Sequence, residues 1–523
     1  MPKFIPTIYK QNILLSLNFE DQLQPGTFEY ALHYLIEHKL DLAVFYPRYK
    51  NDDNGRPAYD PAMLLKIVLF AYSKGITSSR EIQWCCQFNL IFKALACDSE
   101  PHYTTIADFV SSKPSDIESI FEQILLICDQ QGLLGHELFA IDGCKMRSDA
   151  AKTWSGTFKE LTEKRDKLKR MIQYQMNQHQ QSDRIESSDE QAREQRIEQT
   201  IETLTKAHDK IDTFLNKNEP RKGKGKKRSE VKSNVTDNES AKMTTSKGTI
   251  QGFNGVASVD KKHQIIIDAQ AFGEGQEHHV LQPVLNTIKD RFNRLGIRDD
   301  LYKSGTIVTA DTGYANEDNM QFLHEEGIDA YIPDNQFRRR DPRFVDQKKK
   351  YGKRNQRMKK RDNQRYTPSD FILDSQLKSC ECPAGKVMWL KSEGEDKHGN
   401  EKLFFEGRVT DCRGCKQKER CMRTPDSSDS RKGTGRQVSF IIKERTPAPN
   451  YTDWMKARID SDKGKQIYSH RMSVVEPVFA NMGSNKGLNR FTLRGKKKVQ
   501  GQWQLYCIVH NMEKLANYGE LAH

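Results

Sequence analysis

The chain has 523 residues, a length that predicts two to four structural units rather than one hydrophobic core. It carries 84 Lys and Arg against 71 Asp and Glu, so its formal net charge is +13. No stretch approaches the about 20 apolar residues that span a bilayer, the N-terminus lacks a hydrophobic signal core, and eleven scattered cysteines do not form a secreted disulfide framework. We therefore expect a soluble, cytoplasmic protein that does not bind a membrane.

The first 130 residues have the pattern of a helical domain. In the segment DPAMLLKIVLFAYSKG, Asp60 is a candidate N-cap and Pro61 occupies the first helical position. Further short helices are predicted from Ser78 and from Thr104. Short helices joined by tight turns are typical of a helix-turn-helix module, although other small bundles give the same pattern. The sequence predicts a helical N-terminal DNA-binding domain at residues 1–130.

A sheet domain begins after it and is interrupted at once. The apolar run ELFAID ends in Asp142 and has the pattern of a buried strand. The following residues are polar, with apolar positions alternately four and three apart. This spacing predicts two packed helices, 157–180 and 188–216. They belong to a helical-hairpin insertion at 156–234 that ends in the basic linker RKGKGKKR.

Strand signals resume after this linker. GFNGVASVD and QIIIDAQAF predict a hairpin, a helix follows, and the apolar run TIVTAD predicts another strand that ends in Asp311. A further helix and the strand IDAYIP come next. Alternation of strands and helices predicts an α/β catalytic domain made of residues 131–155, 235–337 and 450–523.

The last part of this domain is predicted to be helical. One helix should run from Gly464 to Asn481 and a second over residues 499–517. Pro477 lies inside the first of them. We expect this proline to kink or divide the helix.

Residues 338–449 form a predicted basic insertion that carries cysteines. Residues 338–365 hold fourteen Lys and Arg against three Asp, which favours a polyanion over a merely solvated loop. The candidate DNA contacts in this run are Arg338, Arg339, Arg340, Lys348, Lys349 and Lys350.

Four cysteines of the same insertion have the spacing of a metal site. Cys382, Cys412, Cys415 and Cys421 include one C-x2-C pair in a polar, basic segment, with Cys380 as an alternate ligand. Four thiolates at such a spacing fit a tetrahedral structural Zn²⁺. Reduced cysteines without a metal are the alternative.

Three acids lie in apolar surroundings that acids rarely occupy without a reason. Asp142 and Asp311 end apolar strands, and Glu476 lies within an apolar helical segment. Such carboxylates can hold two hard cations that promote in-line displacement at a phosphodiester. Asp149 and Asp318 compete for the first two positions, and each acid alone could be a cap or a surface residue.

The segments FAIDGCKMRSDAAK, TIVTADTGYANEDN and YSHRMSVVEPVFANMGSNKGLNRFTLRG resemble bacterial insertion-sequence transposases of the DDE, RNase H-like superfamily. The resemblance also includes GFNGVASVD and the stretch from Gly55 to Phe109. It implies that the three acids identified above are the catalytic residues. Tyr468 and Arg471 then fill the Tyr and Arg positions of the family's signature helix.

The signature departs from its commonest form in this chain. Four residues rather than three separate Arg471 from Glu476, and the basic residue that follows is displaced, with Lys486 and Arg490 as candidate DNA contacts. The resemblance implies binding to terminal inverted repeats, cleavage and joining of DNA ends with two Mg²⁺ (or Mn²⁺) ions, and a homodimer on DNA at the bacterial nucleoid.

Three alternatives use the same residues differently. A metal-dependent nuclease would cleave DNA without joining it, and an inactive relative would only bind DNA. An RNA-binding scaffold built on the basic runs would bind with a steep salt dependence and no preference for DNA ends.

Overall fold

The computed structural model describes residues 18–49, 57–112, 114–182, 188–224, 228–246, 248–342, 365–395, 400–430, 433–443 and 450–520. The helices are α1 Phe28–His38, α2 Pro61–Ser73, α3 Ser79–Phe88, α4 Leu90–Leu95, α5 Tyr103–Ser112, α6 Pro114–Gln130, α7 Phe158–Ser182, α8 Ser188–Lys217, α9 Leu281–Leu295, α10 Glu317–Glu325, α11 Phe337–Arg340, α12 Val409–Arg413, α13 Lys418–Cys421, α14 Tyr451–Asp460, α15 Asp462–Ala480 and α16 Lys496–Tyr518. The strands are β1 Leu138–Arg147, β2 Ser155–Gly156, β3 Ser233–Asn234, β4 Ala241–Thr245, β5 Gly248–Asp260, β6 Ile266–Phe272, β7 Ile307–Ala310, β8 Ala330–Tyr331, β9 Ile372–Asp374, β10 Ser379–Glu381, β11 Val387–Glu395, β12 Glu401–Glu406 and β13 Gln437–Lys443.

The chain divides into two compact units, Met1–Asp334 with Met455–His523, and Asn335–Trp454. The secondary structure is mixed α/β, as the sequence predicts. No helix within the described ranges is both long and apolar enough to cross a bilayer.

The sheet of the first unit has β1 at its centre. On one side β5 runs antiparallel to β1 and pairs with β6 and β4; on the other side β7 and β8 run parallel to β1. The predicted hairpin corresponds to β5 and β6. This arrangement brings the carboxyl ends of β7 and of the paired part of β1 to the same edge of the sheet.

Helix α2 forms as its sequence predicts. Asp60 caps it, since its carboxylate accepts a hydrogen bond from the Ala62 backbone N–H at 2.8 Å, and Pro61 occupies the first turn. The residues from Pro61 to Tyr72 are all buried. A helix that is apolar on all sides belongs inside a core rather than on a surface.

The C-terminal helix α16 joins the N-terminal helices to the sheet. It packs against α2 and α6 on one side and against β6 on the other. The Gln500 amide donates to the Ala269 carbonyl and accepts from the Ala271 N–H, both at 2.7 Å. The Asn511 amide forms the same two bonds with Ile266, both at 2.8 Å. These side chains satisfy backbone groups at the free edge of β6, an edge that would otherwise remain unpaired.

Pro477 does not divide helix α15, which was one of the two outcomes that the sequence analysis expected. The helix continues from Asp462 to Ala480 and is followed by one turn of π-helix at Asn481–Asn485. Proline removes the N–H that would bond to the carbonyl of Ser473 four residues earlier. Here the Gln264 side-chain amide donates to that carbonyl at 3.0 Å, so the freed acceptor has a partner.

Helices α7 and α8 pack against each other, with bounds close to the 157–180 and 188–216 of the sequence prediction. Leu161, Ile211 and Phe214 form a buried cluster near the base of the pair. Within the basic linker that follows, Arg221 donates to the carbonyl oxygens of Asn238 and Ser240. This arginine therefore supports the fold.

The second unit contains a five-stranded sheet in the order β13, β12, β11, β10 and β9, in which neighbouring strands are antiparallel. The sequence analysis predicted no sheet in this segment. A small buried apolar cluster lies on it, formed by Phe371, Cys380, Met388, Leu403, Phe405 and Val438.

A buried arginine ties helix α9 to α6 and β6. Arg291 is 1% exposed, and its guanidinium pairs with Asp268 of β6, with Glu122 at 3.2 Å and with Glu118 at 3.3 Å. It also donates to the Ile267 carbonyl at 3.2 Å. Loss of the arginine would leave two buried carboxylates without their main cation.

Replacing Arg291 by Met is expected to lower the free energy of unfolding by about 3–5 kcal/mol, because breaking a buried ion pair leaves uncompensated buried charge. Urea unfolding followed by circular dichroism measures this change. Arg294→Met is the matched control: Arg294 lies one turn away and also contacts Glu122, at 2.6 Å, but is 61% exposed. Equal loss in both variants would contradict a structural role specific to Arg291.

Candidate active site

Two acids meet at the edge of the central sheet. The last residue pair in the parallel pairing of β1 with β7 is Ile141 with Ala310. Asp142 and Asp311 are the residues that follow this pair in the sequence. β1 itself continues to Arg147, paired with β5, so Asp142 follows the end of the parallel pairing rather than the end of the strand. The sequence-based prediction that strand ends bring these two acids together is consistent with this register.

Asp142 lies in an environment that disfavours its charge. Its side chain is 22% exposed, and burial raises its pKa to about 6. The Arg471 guanidinium, 2.7 Å from the Asp142 carboxylate, and the Gly143 N–H at 2.8 Å act in the opposite direction. The negative charges of Asp311 and Glu277 raise the pKa further.

Glu277 is a third acid at this site and was not identified from the sequence. It lies in a single 3-10 turn, Glu277–His279, that precedes α9. Burial, followed by the charge of Asp311, raises its pKa, while Lys145, whose ammonium is 3.2 Å from the carboxylate, lowers it. The signal in the sequence was the position of Glu277 between a strand, β6, and a helix, α9. Asp311 also lies between a strand and a helix, but it follows its strand directly, whereas Glu277 lies five residues beyond β6.

Two residues keep the acid-bearing turns together. The Asn319 side-chain amide donates to the carbonyl oxygens of His278 and Tyr314, both at 2.8 Å. It thereby bridges the 3-10 turn Glu277–His279 and a second 3-10 turn, Thr312–Tyr314, which follows Asp311. Gly313 allows the close approach, because a Cβ at this position would collide with the Glu277 carboxylate and lie 2.9 Å from Asp311 Oδ1. The carboxylates of Glu277 and Asp311 are therefore neighbours in the folded chain.

Buried polar groups without partners surround the acids. The Tyr314 hydroxyl and the Arg471 Nε–H are both buried and form no hydrogen bond with any of the residues that the structure describes. Burial raises the pKa of the Tyr314 hydroxyl most, and the negative charges of Asp142, Glu277 and Asp311 raise it further. Such groups in native proteins call for an explanation, and a hydrated ion or a phosphate in the site would provide one.

The donor set fits a hard divalent cation. Carboxylate oxygens are the ligands that Mg²⁺ and Mn²⁺ take in proteins. Two cations pair with these acids: Lys145 with Glu277 and Arg471 with Asp142. As the structure stands, no three His, Cys, Asp or Glu side chains of the described ranges form a group that could hold a metal ion.

Two family models match the chain. One, described as Transposase DDE domain, matches residues 381–516, and the other, described as Transposase domain (DUF772), matches residues 17–112. The two matches indicate an insertion-sequence transposase of the DDE type. No curated protein sequence matches the chain significantly. Asp142, Glu277 and Asp311 lie between the matched ranges, so their assignment depends on geometry.

The third acid of the sequence analysis, Glu476, lies on helix α15 and is exposed. The charged groups that shift the pKa of Asp142 are Arg471, Asp311 and Glu277. Arg471 of the same helix is 8% exposed and contacts Asp142 directly. Tyr468 lies three residues before Arg471 and is half-buried.

Asp149 and Asp318, the alternatives to Asp142 and Asp311 in the sequence analysis, lie in different surroundings. Asp149 forms ion pairs with Arg490 at 3.1 Å and with Arg494 at 2.9 Å. Asp318 is exposed in the first turn of α10. The acids whose charges raise the pKa of Asp142 are instead Asp311 and Glu277.

The candidate DNA contacts of the sequence analysis differ in exposure. Arg338, Arg339 and Arg340 are exposed on α11, whereas Lys348, Lys349 and Lys350 lie outside the described residues. Lys486 is 1% exposed and its ammonium is 2.6 Å from Glu513. Its charge is thus neutralised within the fold, which sequence reasoning did not foresee; Arg490 is 54% exposed.

Proposed function

We propose that the transposase cleaves the ends of its own insertion sequence and joins them to target DNA in an RNase H-like catalytic domain. The observation that carries this proposal is the position of Asp142 and Asp311 after the last parallel pair of β1 and β7, with Glu277 beside them. The mixed sheet covered by helices supports the RNase H-like assignment.

The acids would bind two Mg²⁺ or Mn²⁺ ions. Asp142 and Asp311 supply carboxylate oxygens, and Glu476 is the third ligand that the resemblance implies. Glu277 is an additional carboxylate ligand suggested by the structure alone. When bound, such ions activate a water or a 3′-hydroxyl and stabilise the leaving oxygen of the phosphodiester. The protein then needs no covalent nucleophile.

Arg471 is suited to hold a phosphate. Its guanidinium already neutralises Asp142, and its Nε–H has no partner although it is buried. A cation bound to Asp142 would take over that neutralisation. The planar guanidinium could then donate to a phosphate oxygen of the DNA. Tyr468 precedes it by about one helical turn and would act at the same strand of DNA.

Positive side chains of the second unit and of the C-terminal segment would bind the DNA backbone. Arg338, Arg339 and Arg340 are exposed on α11, and Arg490 is partly exposed. We assign Lys486 a positioning role, because its ammonium pairs with Glu513. Joining requires two element ends, so we propose a homodimer on double-stranded DNA, acting in the bacterial cytoplasm at the nucleoid.

The test uses duplex DNA that carries the terminal repeats flanking the coding region. Purified transposase is expected to nick these ends in Mg²⁺ and to join a pre-cut 3′-end to a plasmid, with both products visible on a gel. Chelation of the metal should remove both activities without removing end binding. Cleavage without joining would identify a nuclease, and equal binding to RNA and to DNA without ends would identify a nucleic-acid scaffold; either result overturns the proposal.

A further inference from the structure

Four cysteines of the second unit meet at one cavity. Cys382 follows β10, Cys412 lies in α12, Cys415 follows that helix and Cys421 ends α13. All four line a cavity of about 30 Å³. Sites for organic ligands are about 300 Å³ or larger, whereas a single water-sized occupant needs only about 10–15 Å³. The cavity therefore suits an ion rather than a small molecule.

Hydrogen-bonded backbone turns hold two of these cysteines, Cys382 and Cys415. At Cys382 the Gly385 N–H donates to the Cys382 carbonyl at 2.8 Å, and the Cys382 N–H donates to the Lys386 carbonyl at 2.9 Å. Gly385 has a φ of +71°, a left-handed conformation that favours glycine. At Cys415 the N–H donates to the Cys412 carbonyl at 3.3 Å. Both turns direct their cysteines toward the shared cavity.

Backbone N–H groups also point at two of the sulfur atoms. The Gln417 N–H donates to Cys415 Sγ and the Arg436 N–H donates to Cys412 Sγ, each at 3.4 Å. Hydrogen bonds of this kind favour the thiolate form, which is the form that binds metal. This observation is independent of the cysteine spacing in the sequence.

Cys380, the alternate ligand of the sequence analysis, has a different role. It is 1% exposed within the apolar cluster of the second unit, and its sulfur lies 3.9 Å from Met388 Sδ. Cys380 is a core residue.

We propose that Cys382, Cys412, Cys415 and Cys421 hold one structural Zn²⁺ as four thiolates. Zinc takes four such ligands at about 2.3 Å in a tetrahedron. The ion would join the β10 end of the sheet to α12 and α13. Since the buried cluster of this unit contains six residues, a metal is an effective source of folding free energy.

Binding would have to draw the thiols together and release their protons. The described cysteines do not yet form a group that could hold a metal. Each thiol loses its proton to solvent as its bond to zinc forms, so zinc affinity should fall as the pH is lowered.

The test measures metal in the full-length protein purified without chelator. Elemental analysis is expected to find about one zinc per chain, and exchange with Co²⁺ should give the charge-transfer absorption of thiolate–cobalt bonds. Cys412→Ser and Cys421→Ser should each lose most of the metal. Cys380→Ala and the exposed Cys97→Ser are matched controls that should retain it.

The wild-type measurement decides the proposal even where a variant fails to fold. Wild-type protein without zinc and without a cobalt spectrum overturns it, as does iron in place of zinc. Full zinc content in Cys412→Ser and Cys421→Ser also overturns it. Loss of metal in the ligand variants alone, with the catalytic acids unchanged, supports a site separate from the catalytic one.

Discussion

Asn in place of Asp142 or Asp311 is expected to lower end cleavage and strand joining by at least about 10³-fold, or about 4 kcal/mol at the barrier. The amide keeps the size of the side chain and an oxygen that can accept the nearby backbone N–H, from Gly143 or Gly313. It removes the charge that binds a cation. Burial and the neighbouring acids disfavour the charged form of Asp142 and raise its pKa to about 6. The fold should therefore tolerate the neutral amide of Asp142→Asn.

Single-turnover cleavage of labelled ends in Mg²⁺ measures this loss, and gel shift in the presence of a chelator measures binding. Asp318→Asn is the matched control, because Asp318 competed with Asp311 in the sequence but is exposed on α10. Its activity should remain within about twofold of wild type, which is less than 1 kcal/mol. Wild-type cleavage by the Asp142 or the Asp311 variant would show that the acid replaced in that variant does not bind the catalytic metal.

Two acids of the candidate site, Asp142 and Asp311, were identified from the sequence because their signals are local. An apolar run of strand length that ends in an acid marks Asp142 and Asp311, and parallel pairing of two such strands brings the acids to one edge. Helix α2 could also be predicted, since the Asp60 cap and Pro61 adjoin an apolar run. In these cases the residues that indicate the structure lie within about one helix or strand of the chain.

Other features depend on residues far apart in the chain. Glu277 follows β6 by five residues, and only the tertiary contact with the turn after β7 identifies it as a site residue. Burial of Lys486 depends on Glu513, 27 residues away. The sheet of the second unit was missed because its longest strand, β11, is mostly exposed and lacks an alternating apolar pattern.

The two glutamates are expected to differ in what they contribute to metal binding. Glu277→Gln should weaken Mn²⁺ binding to the DNA-free transposase at least about tenfold, about 1.4 kcal/mol, because Glu277 lies beside Asp311 in the folded chain. Glu476→Gln should leave that affinity unchanged, because Glu476 is exposed. Both variants should cleave DNA at least about 10²-fold more slowly, because each removes a carboxylate that is proposed to bind the catalytic metal ions. Calorimetric titration with Mn²⁺ and single-turnover cleavage separate the two effects.

Glu274→Gln is the matched control for Glu277, because Glu274 lies three residues earlier and pairs with Lys224 at 2.5 Å. It should change neither affinity nor cleavage. Unchanged Mn²⁺ affinity and cleavage in Glu277→Gln would exclude Glu277 from the metal site while leaving the roles of Asp142 and Asp311 intact. Wild-type cleavage by Glu476→Gln would instead remove the residue that the resemblance supplies. Since burial and the charge of Asp311 raise the pKa of Glu277, a cation near this carboxylate should relieve the repulsion between the two acids.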